Sequence, residues 1–296
     1  MISRLVAVSF SQAPAQLGND PSFEKGMAAY KQKAYRAAIQ ELKAFTDRVS
    51  QTDPRRGEAS TALGLSYYFE GQFSDAIPLL KKASERSPSN AEFAYALGIA
   101  CLRSRDIENA REAFARMFQV APGSADAGLV TAKMMMSERM EEFAQKELES
   151  AGGKNPRLPQ LHFLLGELAI FRGDVDAGIA QLKSEISLNP GFAAAHYRLG
   201  DAFTRKQMWG DAVAPLQKAI WLNPEFSSPY ILLGKVYDRL EQTEFAEGML
   251  SKAISMDPNN LGARYLLGTI YRKAGRLREA QEQFEAYQKL KSQGKE

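Results

Sequence analysis

His162 and His196 are the only histidines in the chain, and they stand 34 residues apart. On neighbouring helices about 8–10 Å apart, two imidazoles could turn toward one zinc ion. Zinc needs a third or fourth ligand from cysteine, histidine or carboxylate, and none recurs at that interval. The same interval leads from the histidines to Tyr230 and back to Ala94. The place therefore reads as a packing position, and no metal is expected. Cys101 is the single cysteine, which rules out an intrachain disulfide, and it reads as a small core residue. No glycine-rich phosphate loop of either standard spacing occurs. No Ser-His-Asp set follows from two histidines at packing positions. Carboxylates are scattered along polar faces. The expectation is a protein that is not an enzyme, with no catalytic residue, no cofactor and no metal.

The interval of 34 organises the rest. Prolines recur at Pro54, Pro88, Pro122, Pro156, Pro190, Pro224 and Pro258. Small residues recur at Gly64, Gly98, Ala132, Gly166, Gly200, Gly234 and Gly268, and twelve positions later at Ala76, Ala110, Ala144, Gly178, Ala212, Ala246 and Ala280. In the unit from Ala91 to Ser124, Ala94, Leu97, Gly98 and Cys101 share one helical face. After a polar break at 103–106, Ile107, Ala110, Phe114 and Met117 share another. Each unit is thus two amphipathic helices joined by a turn. Its small residues let the helices approach, and its proline ends the second helix. One hairpin cannot bury both faces, so neighbours must stack.

The pattern resembles the tetratricopeptide repeat. Leu63-Gly64, Leu97-Gly98, Leu165-Gly166, Leu199-Gly200, Leu233-Gly234 and Leu267-Gly268 match its leucine-glycine pair, together with the alanine of the second helix and the closing proline. The resemblance runs from about Pro21 to about Leu290. It implies an all-α fold, a right-handed superhelical solenoid of about eight helix pairs with the first helices lining a concave groove. It also implies a protein–protein interaction scaffold that holds an extended peptide or a partner helix. The alternative is a regulatory or substrate-recruiting subunit of an enzyme such as a glycosyltransferase.

A net charge of +3 is too small to argue for nucleic acid. No apolar run nears the roughly 18 residues needed to span a bilayer. Residues 1–20 read as a leader or a disordered segment. Arg4, the apolar run Leu5–Val8 and Ala13-Pro14-Ala15 fit an export signal, except that the apolar stretch is short. Exported and cytoplasmic locations both stay open, as does the oligomeric state. Residues 21–296 read as one array, with repeats near 21–54, 55–88, 89–122, 123–156, 157–190, 191–224, 225–258 and 259–292.

Two repeats depart from the pattern. Gly26 to Gly64 spans 38 residues, and the four extra ones are expected in the second helix or the loop around 46–55. In the fourth repeat Ala132 replaces the glycine, and Glu141 stands where others carry an apolar residue. Gly152-Gly153 is expected to cut its second helix short, which makes this repeat the weakest link. Met134, Met135, Met136 and Met140 read as gap-filling. Second helices are expected to begin near Asp75, Asn109, Asp211 and Glu279, with Pro78 and Pro215 in or just past the first turn.

In the family, ligand-facing residues stand three before, one after, and four and five after the small residue. Here these include Tyr68, Tyr95, Ile99, Arg103, Phe163 and Ile170. Farther on they become Arg205, Lys235, Arg239, Arg272 and Lys273, with Asp201 and Asp238 among them. Arg205, Arg239 and Lys273 share one register and are expected to form a cationic ladder, which suits a partner with acidic groups. The family's carboxylate clamp has an asparagine one position after the small residue, where this chain carries Leu65, Ile99 and Lys235. Trp221 stands where other repeats are polar and is expected to be exposed.

Overall fold

The computed structural model describes residues 20–293, so the leader reading lies outside the described residues. Among the described residues there are sixteen α-helices in eight consecutive pairs and no strand. The chain divides into two compact units between Leu158 and Pro159. The first unit holds α1 (Pro21–Lys31), α2 (Tyr35–Arg48), α3 (Arg55–Phe69), α4 (Phe73–Arg86), α5 (Ala91–Arg103), α6 (Ile107–Met117), α7 (Ala125–Ser137) and α8 (Glu141–Lys154). The second holds α9 (Leu161–Phe171), α10 (Val175–Leu188), α11 (Ala193–Arg205), α12 (Trp209–Leu222), α13 (Ser227–Arg239), α14 (Thr243–Met256), α15 (Leu261–Lys273) and α16 (Leu277–Gln293).

The small residues do what their spacing demands. A Cβ on Gly98 would lie 2.4 Å from the Phe114 ring, and one on Gly200 would lie 2.5 Å from Leu216. Ala110 and Ala212, their counterparts on the second helices, are fully buried. With Ala132 in place of glycine, the α7–α8 approach is closest one turn earlier, where a Cβ on Gly128 would sit 3.2 Å from Ala151 Cβ.

Every pair closes through the same turn. The residue seven places after the small residue is left-handed in all eight repeats: Lys33, Gly71, Arg105, Arg139, Gly173, Gln207, Glu241 and Gly275, with φ between 58° and 87°. The next N–H then bonds back to a first-helix carbonyl, as in Asp106 N to Cys101 O and Met208 N to Phe203 O at 2.9 Å each. This is the glycine-type helix stop, here built mostly without glycine.

Several expectations are corrected. The second helices begin two residues before Asp75, Asn109, Asp211 and Glu279, which lie in their first turns. Pro78 and Pro215 therefore fall in the second turn. The carbonyls they leave unbonded belong to Ser74 and Asp211, both exposed, where water can replace the lost donor. Of the two places expected for the four extra residues of the first repeat, α2 is excluded, since it matches α4 at 14 residues. They extend the following loop and the start of α3, which has 15 residues against 13 in α5. Gly152-Gly153 does not shorten α8, which runs 14 residues through both glycines. The short second helix is α6, 11 residues long, stopped by a left-handed Gln119 whose following Val120 N–H bonds to Ala115 O. Met135 is buried and Met134, Met136 and Met140 are half-buried, as gap-filling requires.

Candidate binding faces on the first helices

Within each unit, successive first helices touch one another: α1 with α3 and α3 with α5, then α9 with α11, α11 with α13 and α13 with α15. Their shared side is therefore the inner face of each unit.

In the first unit this face is aromatic. Tyr35 and Phe69 stack with ring centroids 4.5 Å apart, and Tyr68 meets Phe69 edge-on at 5.3 Å. Tyr68 and Tyr95 are half-buried. Burial pushes the Tyr68 hydroxyl up to about 12, with Tyr95 and Glu138 adding to the effect. Arg103 pairs with Glu138 at 2.5 Å. Ile99 is 4% exposed, so it cannot meet a ligand. One residue past the glycine, its side chain turns into the stack of neighbouring repeats, as does fully enclosed Leu65.

In the second unit Phe163 meets Phe192 edge-on at 5.0 Å, and Tyr197 meets Phe226 in the same way at 5.0 Å. These two pairs repeat at the interval of 34. Phe192 and Phe226 are the N-cap residues of α11 and α13, a place not anticipated as part of the face, although their spacing could have revealed it. Ile170 is buried at 9% exposure, while Phe171 beside it is 71% exposed.

The cationic register is present but engaged. Arg205 Nε donates to Asp201 at 3.0 Å, and Lys273 Nζ donates to both oxygens of Asp238 at 2.8 and 2.7 Å. Arg239 lies over the Trp209 ring at 5.7 Å and Arg272 over Phe284 at 5.5 Å. Lys235 is half-buried on α13. Exposed pairs of this kind contribute little stability, but they reduce what the ladder offers an incoming carboxylate. The histidine register also has a polar task. His196 Nε2, Tyr230 Oη and Arg264 Nε donate to the carbonyls of Pro190, Pro224 and Pro258, at 3.0, 3.1 and 2.8 Å. Because a carbonyl only accepts, His196 carries its proton on Nε2. His162 instead places Nδ1 2.7 Å from Gln181 Oε1. Burial raises the Cys101 thiol to about 12, which keeps it unreactive. Trp221 is 71% exposed, with Lys218 Nζ 3.8 Å from its ring centroid.

The profile of the tetratricopeptide repeat matches residues 61–125 and 163–227, and a second profile of that description matches 239–293, together more than half of the chain. The chain belongs to the tetratricopeptide repeat family. Among solved structures it is similar to MamA 41-end from Desulfovibrio magneticus RS-1, with 21% identity over 57% of this chain and 96% of that one and a TM-score of 0.54. It is also similar to the chain matched in the APC/C hetero-tetramer Cut9-Hcn1, at 16% identity over 84% of this chain and 53% of that one, with a TM-score of 0.51. At these identities the likeness speaks for the fold. No curated protein sequence matches the chain. Tetratricopeptide repeats are protein-interaction scaffolds, and no helix among the described residues is long and apolar enough to cross a membrane.

Proposed function

We propose that this tetratricopeptide protein is a scaffold whose first-helix faces hold an extended segment of a partner, with aromatic side chains providing most of the affinity. The carrying observation is that Tyr68, Tyr95, Phe163 and Tyr197 stand half-buried at the ligand-facing registers. Large rings of this kind lose little entropy on binding and dominate interfaces elsewhere. A repeat fold of similar architecture occurs in the Cut9-Hcn1 hetero-tetramer, which fits the same use. The ladder of Arg205, Arg239 and Lys273 acts as a rim, because ion pairs within the fold already occupy two of its three members. The test is partner capture by the full chain, with bound proteins identified by mass spectrometry. Tyr95→Ala and Phe163→Ala are expected to abolish it, and Arg205→Glu with Arg239→Glu to weaken it modestly. Loss through the charge reversals alone would hand the role to the ladder. A sugar-transfer assay on the captured material distinguishes a free-standing scaffold from an enzyme's recruiting subunit.

A further inference from the structure

Three first helices of the second unit carry seven cations and two acids. On α11 these are Arg198, Asp201 and Arg205, on α13 Lys235, Asp238 and Arg239, and on α15 Arg264, Arg272 and Lys273. Arg198 pairs with Glu167 of α9 at 2.8 Å, Arg205 with Asp201, and Lys273 with Asp238. Arg264 donates to the Pro258 carbonyl and to Gln283, while Arg239 and Arg272 lie over rings. Of the nine, only Lys235 has no ion pair, hydrogen bond or ring contact among the described residues, and its nitrogen is not enclosed. The register explains this. Lys235 stands one residue past the small residue, as Glu167 does two repeats earlier, and Glu167 finds Arg198 on the next first helix. On α15 the place of Arg198 is taken by Leu266, which offers no charge. Leu65 and Ile99 are buried in the same register, whereas Lys235 is half-buried. A long chain can bury its stem in the stack and carry its charge out.

One turn nearer the start of each helix, Tyr197, Ile231 and Tyr265 form an apolar row, the first two half-buried and Tyr265 49% exposed. Lys235 lies beside the middle of that row. Consecutive first helices pack about 8–10 Å apart. Three residues of a polyproline-type chain advance about 9 Å, whereas alternate residues of a strand advance only about 7 Å. A polyproline-type chain crossing α11, α13 and α15 thus sets every third residue over the next helix.

We infer that the inner face of the second unit takes an extended partner segment with an internal aspartate or glutamate on Lys235. An apolar residue three places to either side of that acid rests on Tyr197 and on Tyr265. This deepens the reading of the first-helix faces as binding faces, on which it rests, by giving one of them a partner chemistry. Charge selects the occupant. A carboxylate brings the acceptor that Lys235 lacks, and with Glu167 counted seven cations stand against three acids, which repels a basic segment. The apolar row continues on both sides of Lys235, so the chain passes over it and a side-chain carboxylate meets the ammonium.

The test uses the full chain and fluorescence anisotropy with labelled, amidated heptapeptides. One reads Leu-Pro-Ala-Glu-Pro-Ala-Leu, and two others carry glutamine or lysine at its centre. The glutamate peptide is expected to bind about tenfold more tightly than the glutamine peptide, the scale of a charge-assisted hydrogen bond, and the lysine peptide most weakly. Lys235→Gln should erase the glutamate preference and Lys235→Arg should keep it. Lys252→Gln, on the exposed side of α14, should leave it unchanged. Circular dichroism confirms that each variant is folded. Equal binding of the glutamate and glutamine peptides overturns the inference. So does a glutamate preference that survives Lys235→Gln, which would belong to the overall charge of the face. Leu-Pro-Ala-Gln with a free carboxyl terminus should bind more weakly than the glutamate heptapeptide, and equal binding overturns the internal placement of the acid. Moving each leucine one place inward should also weaken binding, and no change overturns the three-residue spacing. If no glutamate preference appears while Phe163→Ala still abolishes partner capture, the acidic assignment falls and the scaffold reading stands. If Phe163→Ala and Tyr95→Ala both leave capture intact, the binding-face reading itself falls.

Discussion

Glu92 holds its charge at a cost that pH can reveal. With its folded pKa raised by burial, the unfolded chain ionises first as pH rises. The stability present below the unfolded value, about 4.3, is then lost as pH climbs through the folded value. Glu92→Gln is therefore expected to melt higher than the parent at pH 7 and equally at pH 3.5, checked by thermal melts at both. The left-handed turn residues offer a second test. An L-residue there costs roughly 1–2 kcal/mol relative to glycine. Gln207→Gly should raise the melting temperature and Gly173→Ala should lower it. These positions were not legible in the sequence, because Lys33, Arg105, Arg139, Gln207 and Glu241 share no turn chemistry. The hydrogen bond that closes the turn selects the backbone shape and leaves the side chain free to vary. Ile99 was misread for a related reason. Its register shares the ligand-facing side of the helix, but its depth depends on how closely the next repeat packs.

Among the elements, α9 begins in an unusual way. Glu185, fully buried on α10, accepts from Gln160 N at 2.9 Å and Phe163 N at 3.3 Å. It stands where Ala83, Ala151, Ala219 and Ala253 stand in other repeats, and it serves α9 as a cap supplied by its partner helix. Glu185→Ala is expected to cost about 2 kcal/mol, at the upper end for caps. Hydrogen exchange at 161–163 should quicken most. The helix pairs themselves were readable, since periodic small and apolar residues decide both pairing and approach. Helix ends were not. Gly152-Gly153 looked like a break, yet the glycines sit in the last turn of α8, and a Cβ on Gly153 would meet nothing within 4 Å. The actual early stop of α6 is set by Gln119, a residue with no breaker signature.

At the scale of the molecule, each repeat answers mainly to its neighbours. Gly200→Val forces a side chain into the space Leu216 occupies, which typically costs ~1–3 kcal/mol. Loss of exchange protection should be greatest in 193–222 and fade with each repeat away from it. A loss spread evenly over the second unit would show cooperativity beyond neighbours. The same modularity gives the proline-carbonyl contact a wider meaning. His196, Tyr230 and Arg264 share no size, charge or aromatic chemistry in common, yet each delivers one N–H or O–H to the same backbone atom. In these three consecutive repeats the register thus keeps the donor while the side chain around it changes. Tyr230→Phe, which keeps the ring and removes the donor, is therefore a larger change to this contact than Tyr230→His, which keeps a donor.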